Sequence, residues 1–426
     1  MYQDLSFMKI PLPEDVLKLK NYGDYAGAQK MIRYFLEHKE IPKALRKRLE
    51  IEQEIIGVMG ADEYPYTYAE ALEMMTSHLR DFKEEELQYL KEIGAADWIY
   101  IDGEVHFQRL FYDNLTQTRP NLAVRVIVQN EELEKENAMK QKLLNGNVHY
   151  MKEHGAEQFI HASVQLLRPK RNSKEVGRKV SVHLPIPKVY EQVSNVQIHA
   201  ANPEITFIAP EDAAQRTVYF ETELQPNQEF MVEYSFDYHI NYVELDPKRV
   251  AGEQPDFCLE EQSPHIMFTP YLRELRDELA GDETNPVILA RRFYDFVTTK
   301  VMYSFVREYF TIECIPEYCA VNLKGDCGVQ ALLFITLCRM SGIPARWQSG
   351  LYATDYYTGC HDWAQFYVAP YGWVFADLSF GGSAWRAGEI ERWNYYFGNL
   401  DVFRMPANSE IQKAFVPEKK WLRIDD

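Results

Sequence analysis

Three residues in the last third of the chain have the types and spacing needed for acyl transfer through a thiol: Cys327, His361 and Asp377. Cys327 stands in the run Lys324-Gly325-Asp326-Cys327-Gly328, before a segment in which Val329, Leu333, Leu337 and Met340 recur at helical spacing. A thiol attacks as thiolate, and a cysteine at a helix N-terminus is expected to ionise readily because unpaired backbone N–H groups and the helix dipole stabilise the anion. Alkylation of Cys327 is then expected to persist below the ~8.5 pKa of a free thiol. Gly325 and Gly328 are read as leaving the sulfur sterically open. His361 opens the amphipathic run His361-Asp362-Trp363-Ala364-Gln365-Phe366 and can take the thiol proton. Asp377 closes the apolar run Gly372-Trp373-Val374-Phe375-Ala376, where an unpaired carboxylate is costly to bury, so a histidine partner is expected. The backbone N–H of Cys327 is a natural oxyanion donor, with Tyr303 and Asn322 as side-chain candidates for a second. Trp363 and Gln365 are candidates for a substrate groove.

These residues must be positioned by a helix and two strands. Asn285 and Pro286 start one helix through Ala290, Phe293 and Val297, since Asn caps and Pro suits the first helical position. The helix from Cys327 stops at Ser341-Gly342, ahead of Pro344, and strands are expected at 345 to 352, 361 to 369 and 373 to 379. On paired antiparallel strands His361 and Asp377 share a face only if the loop between is odd, for instance Pro370-Tyr371-Gly372. That loop leaves them staggered by about four positions, so twist or a bulge is expected to bring them together.

The remainder reads as multidomain α+β. Residues 1 to 97 have helical periodicity, with Thr67 and Glu70 as a capping box. A hairpin around Asp102-Gly103 opens a region, 98 to 245, of short strands expected to form an antiparallel β-sandwich-like domain, interrupted by one charged helix at 131 to 145. Strand-like segments include 121 to 128, 158 to 167 and 178 to 186. The basic cluster Arg168, Lys170, Arg171, Lys174, Arg178 and Lys179 reads as a solvated loop. The catalytic region is placed at 265 to 426.

Bulk properties exclude several classes. A net charge of -18 opposes phosphate-driven binding, so no nucleic acid is expected as partner. No apolar run reaches the ~20 residues that span a bilayer, and the N-terminus has no basic and apolar leader, so no membrane and a cytoplasmic location are expected. Six cysteines are sparse for 426 residues and fit reduced thiols. Cys314, Cys319, Cys360 and His361 match no standard zinc spacing, so neither metal nor other cofactor is expected.

The runs Gly325-Asp326-Cys327, Gly342-Ile343-Pro344-Ala345-Arg346, His361-Asp362-Trp363 and Gly372-Trp373, with Asp377, resemble the core of the transglutaminase-like superfamily. The matching motifs run from about 285 to 382. The resemblance implies a papain-like C-terminal domain in which Cys327, His361 and Asp377 form a catalytic triad acting on a peptide or protein substrate. It implies either hydrolysis of a peptide or amide, the preferred reading, or transfer of a glutamine acyl group to an amine. A binding module that keeps the fold without catalysis is the further alternative. Two departures from the family pattern stand out: Gln365 occupies a position that is often acidic, and Gly328-Val329-Gln330 replaces an acidic pair found in many bacterial members. Calcium serves animal members, yet no segment has the clustered oxygen ligands of a calcium loop.

Overall fold

A computed structural model describes residues 2–127, 131–154, 157–167, 175–354 and 357–418. Four members of the basic cluster, Arg168, Lys170, Arg171 and Lys174, lie outside the described residues.

The N-terminal zone is helical, as its periodicity predicts. Helices Glu14–Asn21, Tyr25–His38 and Lys43–Val58 bury Val16, Ala28, Ile32, Leu49 and Ile56 against one another. Thr67 and Glu70 form the expected capping box at the start of helix Tyr68–His78. The hairpin of strands Trp98–Ile101 and Glu104–Phe107 turns through Asp102 and Gly103, both at positive φ. It differs from expectation in its partner: it pairs with Tyr66–Thr67, and Phe107 packs with Met75, Leu87 and Phe111 of the helical zone. Of the strand expected at 121 to 128, the described residues 121–127 form none, because Pro120 starts a short helix, Pro120–Ala123, where its fixed φ is already helical.

After the charged helix, which runs longer than expected (Glu131–His154), come two three-stranded antiparallel sheets. One orders Glu157–Leu167, Phe230–Ile240 and Val193–Asn202; the other orders Lys179–Pro185, Thr217–Glu223 and Phe207–Ile208. Along Phe230–Ile240 the alternate residues Phe230, Val232, Tyr234, Phe236, Tyr238 and Ile240 are buried, the two-residue period of a strand with one face in a core. That core continues without a break into the C-terminal region, where Val218 and Phe236 share an apolar cluster with Leu333 and Phe366.

The C-terminal region is built around helix Cys327–Met340, buried from Gly328 to Arg339. A helix apolar on every side belongs inside a core. It packs on a five-stranded antiparallel sheet ordered Phe397–Gly398, Gly372–Ala376, Thr358–Val368, Ala345–Ala353 and Arg404–Asn408. Phe334 of the helix meets Phe366 of the sheet edge-on, ring centroids 5.6 Å apart. Helix Pro286–Lys300 starts as predicted, with Asn285 Oδ1 accepting from the N–H groups of Val287 and Ile288. The N-terminal zone docks here: Asn114 brackets the backbone of Phe305, donating to its carbonyl at 3.0 Å and accepting from its N–H at 2.7 Å. Arg109 pairs with Glu308 at 3.0 Å. No helix among the described residues is long and apolar enough to cross a membrane.

Candidate active site

Cys327 is the first residue of its helix, and Asp326 is the cap, accepting from Val329 N–H at 3.0 Å. The Tyr309 hydroxyl donates to the same Asp326 oxygen at 2.6 Å, fixing the cap from the other side. The Cys327 thiol donates to Asp362 Oδ2 at 3.4 Å. These surroundings work against the expected easy ionisation. Burial pushes the thiol well above its ordinary pKa, and the Asp362 and Asp326 carboxylates push it further. The helix N-terminus does favour an anion, but desolvation and two negative neighbours outweigh a partial charge. The flanking glycines also serve differently than expected. A Cβ on Gly328 would fall 2.2 Å from the Tyr309 hydroxyl and 2.8 Å from Asp362 Oδ2, so Gly328 lets these groups approach the helix.

His361 and Asp377 meet. His361 Nε2 lies 2.8 Å from Asp377 Oδ2, with both side chains buried. The strand register explains how. Val368 pairs with Gly372 and Ala364 with Ala376, so the loop is Ala369-Pro370-Tyr371, one residue earlier than expected. Gly372, at φ +80°, is the first strand residue and not the last of the loop. Continuing that register sets Asp377 opposite Trp363, two residues from His361, which is an ordinary diagonal contact across a strand pair. No bulge is required.

The Asp377 carboxylate is divided between two tasks. Its Oδ1 caps helix Leu378–Arg386, accepting from Phe380 N–H at 2.9 Å. Its Oδ2 faces His361 and the Arg404 Nη1, the latter at 2.7 Å. Burial opposes its charge, yet the His361 ring and the Arg404 guanidinium hold its carboxyl far below the usual range. Arg404 in turn donates to both oxygens of Asp401, at 3.0 and 2.6 Å. Phe380 stacks on the His361 ring at 4.6 Å, which limits its rotation.

Two neighbouring cavities meet at these residues. Cys327 and Asp362 line one of about 210 Å³, together with Arg109 and Leu110 from the N-terminal zone. His361 lines another of about 390 Å³. Tyr303 and Cys360 line both and so form their common wall.

Residues 273–378 match the family model described as the Transglutaminase-like superfamily. The chain carries a transglutaminase-like core. Among solved structures, one from Cytophaga hutchinsonii, described as a "putative cysteine protease", is similar at 17% identity over 53% of this chain and 78% of that one, with a TM-score of 0.40. The periplasmic domain of TgpA from Pseudomonas aeruginosa is similar at 13% identity over 57% of this chain and 87% of its own, with a TM-score of 0.31. No curated protein matches the chain.

Within the transglutaminase-like core, the other residues singled out in the sequence separate clearly. Tyr303 is at the site, in the wall beside Cys327. Asn322 is not: it is exposed at the end of helix Ile315–Asn322, and its amide donates to the Tyr318 carbonyl at 2.8 Å. Trp363 and Gln365 are fully buried, not groove residues. Trp363 Nε1 donates to Gln348 Oε1 at 2.6 Å, and Gln365 Oε1 accepts from Arg346 at 2.8 Å. A large ring with a single N–H is readily buried once that donor is satisfied. Arg404 and Arg109 were not found from the sequence, nor was the contact of Asp362 with the thiol. Arg404 and Arg109 come from segments remote in sequence, whereas Asp362, adjacent to His361, was legible as a candidate carboxylate.

Proposed function

We propose that this chain is a cysteine-dependent acyl-transfer enzyme that forms a thioester on Cys327 with a peptide or amide substrate, and that water is its usual acceptor. The supporting observation is the buried His361–Asp377 pair at 2.8 Å, set against the wall that it shares with the Cys327 cavity. An imidazole held by an ionised carboxylate has a fixed orientation and a stabilised charged form, which is what a base for a thiol needs.

In this reading the substrate carbonyl sits beside Tyr303, at the boundary of the two cavities. The thiol leaves Asp362 and turns to His361, which takes its proton. The sulfur then adds to the carbonyl carbon, and the oxygen gains negative charge beside the Cys327 N–H and the Tyr303 hydroxyl. The C–N bond breaks as His361 protonates the departing amine. Water, deprotonated by the same imidazole, releases the acid and restores the thiol. Hydrogen bonds of this kind often form fully only with substrate bound, which suits a resting thiol turned elsewhere.

The Cys327 to Asp362 contact favours a second reading, in which Asp362 receives the thiol proton directly. Screening the purified protein against peptide and acyl-donor libraries, with Cys327→Ala as control, tests the function. A product that is free acid, and stays so when a primary amine is added, supports hydrolysis; an amine adduct supports transfer. No turnover and no covalent Cys327 adduct across the libraries would remove the enzyme reading.

A further inference from the structure

Among the described residues, the charged side chains that line the cavity beside His361 are of one sign. Lys140, Arg386 and Arg392 contribute to it, and no aspartate or glutamate stands among its described lining residues. This runs against the composition of a chain with net charge -18. Arg392 is the decisive member. It is only 2% exposed, and its Nε and Nη1 have no hydrogen-bond partner. Buried polar groups are ordinarily satisfied, and leaving a charged one unanswered is expensive. A buried guanidinium in a cavity wall with two unpartnered nitrogens therefore points to an anion that completes it.

Lys140 adds to the same demand. Its ammonium stands 4.9 Å from the centroid of the Tyr357 ring and 6.0 Å from that of Phe380. Burial lowers its pKa, and repulsion from Arg392 and Arg404 lowers it further, so an anion here would relieve both cations. Tyr352, Tyr357 and Phe380 supply apolar surface for the stem that bears the anion. His361 lines this same cavity, so its occupant lies beside the base.

Resting on the enzyme reading above, we propose that this cavity binds a carboxylate of the peptide substrate, placing an acidic residue next to the acyl group that Cys327 attacks. A planar carboxylate matches the fork of a guanidinium, and a volume of about 390 Å³ accommodates a residue-sized group. The carboxylate comes either from a glutamate or aspartate side chain or from a free chain terminus.

The test uses the full chain and three matched peptidyl acyloxymethyl ketones. One has glutamate beside the reactive residue, one has glutamine there, and one has glutamine with a free terminal carboxylate. Labelling of Cys327 is followed by intact mass. One of the acidic probes should react about tenfold or more faster than the neutral one, given the strength of charge-assisted bonds, and which one does so identifies the source. Arg392→Gln should bring the ratio close to one, and Lys140→Gln, at a half-buried position, should reduce it. Equal rates for all three probes, or a ratio that survives both substitutions, overturns the proposal. Should no probe label Cys327, the enzyme reading fails by itself. Calorimetry of N-acetylglutamate with Cys327→Ala then judges the cavity: binding that Arg392→Gln abolishes supports the carboxylate site, and no binding overturns it.

Discussion

The Cys327 thiol donates to Asp362 Oδ2 at 3.4 Å while the neighbouring His361 turns to Asp377 at 2.8 Å. Adjacent residues on one strand thus hold two parts of the proposed machinery apart, because successive side chains of a strand point to opposite faces. Burial, and then the Asp362 charge, push the pKa of that thiol up.

Removing that charge should release the thiol. For Asp362→Asn we expect the pH profile of Cys327 alkylation to move down relative to the parent, giving faster reaction with iodoacetamide near neutral pH. A neighbouring negative charge disfavours the thiolate, so its loss lowers the thiol pKa. Peptide mapping across a pH series reads the result, and superimposable profiles would show that Asp362 does not govern the thiol.

Asp377→Asn should reduce turnover by on the order of 10²- to 10⁴-fold, because the imidazole loses the group that orients it and balances its charge. If Asp362→Asn is instead the variant that loses turnover, with Asp377→Asn near the parent, the second reading of the base is correct. The substitution also bears on stability. A carboxyl whose folded pKa lies below its unfolded value binds fewer protons when folded, so its contribution is complete above the unfolded value of ~3.9 and is lost as pH falls below it towards the folded value. The parent should therefore lose thermal stability below about pH 4 more steeply than Asp377→Asn. Parallel melting curves over that interval would contradict the assigned ionisation.

Arg404→Met should destabilise the fold by about 3–5 kcal/mol, since it leaves Asp377 and Asp401 buried without their shared cation. Arg404→Lys should recover little, because one ammonium cannot reproduce the guanidinium's contacts with two carboxylates. Urea unfolding measures both. A Lys variant as stable as the parent would mean that only charge matters at this position.

Tyr303→Phe should lower kcat by on the order of 10²-fold with a smaller change in KM, if the hydroxyl meets charge that develops only in the transition state. Burial, with Cys327 and two carboxylates nearby, pushes its pKa up, so it stays a donor throughout the working pH range. A change confined to KM would make Tyr303 a wall residue only.

Of the candidate residues, Cys327 and Asp377 were legible because each sits at an element boundary that local physics specifies, whereas His361 lies inside its strand, three residues from the start at Thr358. Asp326 marks a helix cap, Cys327 the first helical residue, and Asp377 both a strand end and a cap. The helical zone, the capping box at Thr67 and the hairpin at Asp102-Gly103 follow from periodicity and turn chemistry of the same local kind. What the amino-acid order by itself determined, then, is the set of elements and the residues at their ends. Tertiary structure alone decided the partners. The loop at Ala369-Pro370-Tyr371, one residue from the expected position, halves the stagger between His361 and Asp377, because a strand register moves every facing pair together. Arg404 reaches Asp377, Arg392 reaches the cavity, and Asn114 reaches Phe305 from segments far apart in the chain. The thiol's protonation was likewise decided in space, since burial and an approaching carboxylate act through distance and not through spacing along the chain.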